Sequence, residues 1–364
     1  VNLTSHSIAS GSKTPAFRIH IADKDVTSEL DKRLINLTLT DNRGFVADDL
    51  TLTLDDADGQ IVMPRLGAVL HLELGWKGQA LCPKGSFVVD AVTLQGSPDT
   101  LSITARSADF SSALSQKHEH TWHETTLGAV VKDIAGKIGL KPALSDELKD
   151  KPIDHIDQTN ESDGSFLVRL ASRYGAIAAI KDGHLLFMPQ GEGRTASGKL
   201  LPIVALTRRA GDGHVFDIKG GTRWTGVSAH WLDTREPEKK KRQPAKGNQT
   251  AIPPAAPEAS EESNPLLVGE SANPLVLNRT YANRDDALQA AKAQWERIRR
   301  GVSSFTLLLA EGRAELYTEM MIKVSGFKAP IDDETWIISK LTHNVTADKG
   351  FTTSMELERR LKIP

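Results

Sequence analysis

Val69-Leu70-His71-Leu72-Glu73-Leu74 runs into Gly75-Trp76-Lys77, and far downstream Met320-Met321-Ile322-Lys323-Val324-Ser325 runs into Gly326-Phe327-Lys328. The first stretch is followed by Phe87-Val88-Val89-Asp90-Ala91-Val92-Thr93 and Leu101-Ser102-Ile103-Thr104-Ala105. The second is followed by Trp336-Ile337-Ile338-Ser339-Lys340-Leu341-Thr342 and Thr353-Ser354-Met355-Glu356-Leu357. Each set predicts a strand, a Gly-aromatic-Lys turn, a strand opening on an aromatic and a closing strand, because short β-rich runs are separated by turn residues. Reuse of similar turns by unrelated β-meanders is one account of the echo. Duplication of one β-barrel, with other material inserted, is the other.

Residues 17–105 carry further strand patterns at Leu34 to Thr40 and Leu50 to Leu54, with turns at Asp58-Gly59 and Ser97-Pro98-Asp99. Several short strands at this spacing predict a sandwich or barrel. The pattern changes at Thr125-Thr126-Leu127, where a threonine can cap a helix whose Leu127, Val130, Val131, Ile134 and Ile138 recur at helical spacing. Asp163 to Tyr174 predicts a second helix stopped by Gly175, then a hairpin turning at Asp182-Gly183. Asn283 to Arg300 predicts a third, with Asp285 and Asp286 at the positive end of the helix dipole and Arg297, Arg299 and Arg300 at the negative end.

The fold class expected is mainly β with an α+β insertion: two similar β-barrel, tube-like domains plus a small α+β module. The boundaries are 1–108 for the first barrel, 109–190 for the module, and 191–235 with 275–364 for the second barrel, including the helix near 283–300. Residues 236–274 predict a flexible linker or loop, since prolines such as Pro237, Pro244, Pro253, Pro254 and Pro257 surround the charged run Lys239 to Arg242.

Composition narrows function. The 364 residues balance 45 basic against 47 acidic side chains, a net charge of −2 that supplies no field for nucleic acid or anionic lipid. Cys82 is the one cysteine, so neither an intrachain disulfide nor a thiolate metal site can form, and a reducing compartment is favoured. The first ten residues lack the basic start and apolar core of a signal peptide, and no apolar run reaches membrane-spanning length. His118, His120 and His123 invite a metal reading, but they sit in a connection before the helix cap with no fourth ligand in view. The acidic pairs Asp55-Asp56, Asp285-Asp286 and Asp332-Asp333 read as turn or helix-start residues rather than an acid and a base. No nucleophile elbow, zinc-protease motif, dinucleotide fingerprint or P-loop occurs.

Several stretches resemble the late control protein D family of contractile-tailed phages, baseplate hub proteins related to the hub part of type VI secretion spikes. They are Trp122-His123-Glu124-Thr125-Thr126-Leu127-Gly128, Asp157 to Asp163 continuing through Phe166 to Ala171 and Tyr174-Gly175-Ala176, Lys181-Asp182-Gly183, and Ala287 to Trp295. Gly326-Phe327, Trp336-Ile337-Ile338, His343 and the closing Ser354 to Glu358 complete the match. The resemblance implies a non-enzymatic structural hub, with no cofactor and no metal, that forms a homotrimer. Two barrels per chain then make a pseudo-sixfold ring joining a sixfold tail tube to a threefold spike. It implies as partners a separate central spike protein, since the sequence ends at Pro364 without a needle, and tail tube or tube-initiator proteins, with the tape-measure protein and baseplate wedge beyond them. Neither nucleic acid binding nor stable membrane insertion is implied. The location implied is the virion's tail baseplate, assembled in the bacterial cytoplasm. A tail-associated enzyme that degrades cell-wall polymer is the alternative. Within the hub reading, Trp76, Lys77, Phe327 and Lys328 are the candidate subunit or partner interface, the bland account being that both rings only plug their own barrels.

Overall fold

The computed structural model describes residues 13–21, 24–107, 112–181, 183–218, 224–232 and 265–361. The chain is mainly β. First come β1 (Pro15–Ile21), β2 (Lys24–Asp25), α1 (Thr27–Asp31), β3 (Leu34–Asn42), β4 (Asp49–Asp55), β5 (Val69–Trp76), β6 (Cys82–Gln95) and β7 (Thr100–Ser107). Next are β8 (Lys117–Thr126), α2 (Leu127–Lys137), β9 (Lys141–Leu144), α3 (Asp146–Lys149), β10 (Pro152–Ser162), α4 (Asp163–Tyr174), β11 (Ala176–Lys181) and β12 (His184–Pro189). Then follow β13 (Ile203–Thr207), β14 (Gly211–Ile218), β15 (Gly226–Trp231), β16 (Leu266–Gly269), β17 (Pro274–Tyr281) and α5 (Arg284–Arg300). The last are β18 (Ser303–Leu309), β19 (Met321–Ser325), α6 (Ala329–Asp332), β20 (Thr335–Thr346) and β21 (Gly350–Arg359).

The chain forms two compact units. Val1–Ala171, Ala176–Ile218 and Ser303–Pro364 make the larger, and Ser172–Gly175 with Lys219–Val302 make the smaller. In the larger unit a 13-stranded sheet runs β14-β18-β21-β20-β3-β4-β7-β6-β5-β1-β2, with β19 joining β13 to β20. Alternation explains the strands. In β4 the side chains of Leu50, Leu52 and Leu54 are buried while the threonines between them are half-buried. Two apolar clusters result. Leu37, Leu39, Leu50, Leu72, Phe87 and Ile103 belong to the first, and Phe305, Ile322, Trp336, Ile338, Met355 and Leu357 to the second. Trp336 is fully buried without penalty because its indole N–H donates to the Ile331 carbonyl at 3.0 Å.

Strand registers show that the echo is a repeated structure. Leu70 faces Phe87 across β5 and β6, and Ile322 faces Trp336 across β19 and β20. A bulge follows in each long strand, between Val89 and Ala91 in β6 and between Ile338 and Lys340 in β20. Similar turns recur by chance, but a one-residue bulge at the same step of two meanders redirects the same strand at the same place. That correspondence favours duplication. The outer strands differ: β1 runs antiparallel to β5, whereas β13 runs parallel to β19. The halves are joined by β3 and β20, where His343 faces Leu39, and Ala314, Val345 and Phe351 from the second half fill the first cluster.

The inserted module pairs β8 with β10 and packs α2 through Leu127, Val130, Val131 and Ile134, all buried. Thr126 caps α2 by accepting the Ala129 N–H at 3.2 Å. Asp182, in the hairpin turn expected between β11 and β12, lies outside the described residues.

In the smaller unit β15 lies between β16 and β17, and α5 covers the sheet through Ala287 and Ala291, with Trp295 and Ile298 at its edge. The helix that the sequence reading takes with the second barrel thus packs on β15 and β16, whose Val227, Ala229, Leu266 and Val268 need an apolar cover. Asn283 caps it, accepting the Asp286 N–H at 2.8 Å. Of the expected 236–274 linker, residues 236–264 lie outside the described residues, and Leu266–Gly269 is a strand.

Candidate functional site

Trp76 ends β5 half-buried. Its indole N–H donates to the Gly312 carbonyl at 3.0 Å, and its ring centroid lies 5.3 Å from that of Phe351. The ring therefore sits at the junction of the two β halves. Lys77 follows with its backbone N–H on the Thr14 carbonyl and its side chain exposed. Phe327 is placed otherwise. It lies between β19 and α6, its N–H donating to the Asp332 carboxylate at 3.0 Å. Its ring packs edge-on against Phe305 at 5.3 Å and His214 at 5.0 Å. Lys328 caps α6 with its side chain exposed. Trp76 lies six residues beyond Leu70, but Phe327 only five beyond Ile322, so the rings are one register step out of equivalence.

His118, His120 and His123 stand exposed on β8, a strand and not the loop expected, because β10 supplies a partner that sequence spacing does not reveal. His123 faces His155, their Nδ1 atoms 3.1 Å apart, and His155 contacts Asp157 at 3.0 Å. Among the described residues no group of three or more His, Cys, Asp or Glu is placed to hold a metal ion.

A charged network at the junction was not legible in the sequence. Arg43, just beyond β3, reaches Glu319 and Glu358 of the second half, each at 2.6 Å. Glu319 is buried, and its other oxygen accepts the Gly191 N–H at 3.0 Å. Burial pushes its carboxyl up against the pull of Arg43. Nearby, Lys84 donates to the Leu316 carbonyl at 3.1 Å, and burial lowers its ammonium. Lys181 of β11 joins Asp48 at 2.7 Å and Asp41 at 3.4 Å, tying the module to the first half. Burial and neighbouring Asp41 raise the Asp48 carboxyl. Arg43 with Glu319 and Glu358 is thus a charge cluster paired across the junction, and losing one partner would leave an uncompensated buried charge. Among the described residues, the outer side of β14 and the far half of β6 have no neighbouring strand, which the sequence did not disclose. Their exposed Val215, Ile218 and Leu94 are the signal that marks them.

Among the described residues no helix is long and apolar enough to cross a membrane. Residues 49–349 match the family described as phage tail baseplate hub (GPD). The probable baseplate hub protein of Escherichia phage 186 is 45% identical over 377 residues, covering 99% of this chain and 97% of that protein. Among solved structures, the tail protein of prophage MuSo2 from Shewanella oneidensis shares the fold. Its TM-score is 0.67 at 13% identity, covering 94% of this chain and 98% of that one. A component of the type VI secretion system from E. coli aligns with a TM-score of 0.53 at 12% identity, over 91% of this chain and 74% of that one. With the hub family's model spanning most of the chain and a relative at 45% identity aligned over nearly its whole length, the chain belongs to the phage tail baseplate hub family.

Proposed function

We propose that the chain works as a homotrimer whose two β halves alternate around a pseudo-sixfold ring, joining the tail tube on one face to a central spike on the other. The observation that carries this reading is the duplication, seen in the paired bulges at Val89/Ala91 and Ile338/Lys340. A repeated half has a use in a symmetry adaptor, because three chains then present six similar surfaces to a sixfold partner and three identical chains to a threefold one. Kinship to a probable baseplate hub protein over nearly the whole chain supports it.

Within this reading Lys77 and Lys328 are contacts to neighbouring chains or tail proteins, since both side chains are exposed. Trp76 and Phe327 support those corners from inside. Light scattering on the purified chain, alone and with its cognate spike protein, tests the proposal. A mass of three chains is expected, and a monomer at micromolar concentration with the spike present overturns it.

A further inference from the structure

The register of the junction inside one chain specifies the junction between chains, an inference that rests on the ring proposed above. Strand β20 has two partners along one edge: residues 335–337 pair with β19, and residues 340–346 pair with β3. Its counterpart β6 uses the same edge for β5 up to Val88. Beyond that, Ala91 to Gln95 have no strand on that side among the described residues. The counterpart of β3 is β14, which pairs with β18 and ends the sheet, with no strand on its other edge among the described residues. One half-site is therefore occupied within the chain, and among the described residues its duplicate is empty on both sides.

We propose that β14 of one copy adds antiparallel to the open half of β6 in the next copy, with Phe216 opposite Leu94 and Ile218 opposite Val92. Ladder partners supply the register. Leu94 faces Leu101 across β6 and β7 as His343 faces Thr353 across β20 and β21, so Leu94 takes the place of His343. Leu39 faces Leu50, which faces Ala105; Phe216 faces Phe305, which faces Leu357. Because Ala105 and Leu357 pair with the residue just before each bulge, Val89 and Ile338, Phe216 takes the place of Leu39. His343 and Leu39 are the pair observed within the chain. Carrying that pair over gives Leu94 and Phe216.

The side chains at the empty duplicate match this occupant. His343 and Leu39 are buried, whereas Leu94 is 49% and Ile218 59% exposed, with Phe216 and Val92 half-buried. Apolar residues at open sheet edges invite strand addition, and the partner edge here carries the same apolar rhythm. A second region agrees. The β18–β19 connection buries Ala314 and Leu316, Ala314 within the first apolar cluster, while the corresponding β4–β5 connection leaves Val62 90% exposed, with Met63 and Leu66 exposed beside it. Pairing β14 with β6, rather than with another β14, repeats the intrachain step and can close a ring, where self-pairing would stop at a twofold dimer.

Cysteine cross-linking tests the register. In a Cys82→Ser background, Thr93→Cys and Asp217→Cys fall opposite one another, and facing residues in an antiparallel ladder lie about 5 Å apart, within disulfide reach. Oxidation of the full chain carrying both changes is expected to give covalent dimers and trimers on a non-reducing gel. Neither single variant, nor Thr93→Cys with Val215→Cys two residues out of register, should do so. Light scattering is run in parallel. Trimer without cross-linking at this register overturns the strand pairing and leaves the ring reading standing; monomer without cross-linking, with the cognate spike protein present, overturns both. Leu94→Asp and Ile218→Asp give an independent readout, an expected tenfold or greater loss of association with the monomer's melting temperature unchanged. Unaltered association in both overturns the proposal.

Discussion

Glu319 occupies in the second β half the place that Gly67 holds in the first. Gly67 has φ +82° and donates its N–H to Val89, while Glu319 has φ +71° and donates to Ile338. Left-handed backbone suits glycine and costs other residues about 1–2 kcal/mol. The second half tolerates that cost because the glutamate side chain meets Arg43.

Comparing substitutions separates strain from ion pairing. Glu319→Ala loses the partner of a buried guanidinium and keeps the strained backbone, so urea denaturation should show a loss of about 3 kcal/mol. Glu319→Gly should recover roughly 1 kcal/mol of that loss. Gly67→Ala should cost about the same 1 kcal/mol, because no atom lies within 4 Å of the added methyl group and only the backbone resists.

His343 predicts an acid-side loss of stability. It is fully buried beside Thr353, and burial followed by the nearby Lys84 charge holds its pKa well below 6.5. The native ring stays neutral while the unfolded one takes up a proton as pH falls through about 6.5, so stability is present above that value and declines below it, by up to roughly 1.4 kcal/mol per pH unit. His343→Gln should remove this slope. Asp48 and Glu319, both raised by burial, act in the opposite sense, so the difference between the two proteins between pH 8 and 5.5 is the measurement.

Trp76 and Lys77 should separate folding from assembly. Trp76→Phe removes one hydrogen bond to Gly312 and should lower stability by about 1 kcal/mol, and Trp76→Ala by about 3 kcal/mol, both visible in the monomer's melting curve. Lys77→Ala and Lys328→Ala alter exposed side chains and should stay within about 0.5 kcal/mol. Any defect they cause should appear in the scattering mass instead.

The smaller unit should melt by itself when Gly269 is changed. Gly269 has φ +94°, and an added methyl would lie 2.7 Å from the Thr225 carbonyl oxygen. Gly269→Ala should therefore cost at least 2 kcal/mol in that unit. Hydrogen exchange should show faster exchange along β15 and β17, with β4 and β21 unchanged.

Local pattern was enough for much of this architecture. Thr126 before Leu127, Asn283 before Asp285 and Asp286, and the alternating leucines of β4 form the elements their spacing predicts, because caps, dipoles and one-sided burial act within a few residues. The Gly-aromatic-Lys turns likewise disclosed a repeat. They misplaced its fine register by one step, since the turn comes one residue later after Leu70 than after Ile322, and only the pairing of those residues with Phe87 and Trp336 fixes the alignment.

Residue pattern alone therefore settled a mainly β chain with a helical insertion and an echo between two strand sets, which the paired bulges then favoured as a duplication. Which strands meet was settled by long-range pairing. Pairing β3 with β20 joins residues some 300 positions apart, and the buried Arg43 with Glu319 and Glu358 exists only once that ladder has formed. Backbone hydrogen bonds are alike for every residue, so the edges at β6 and β14 that no other described strand covers appear only when the rest of the sheet has been assembled.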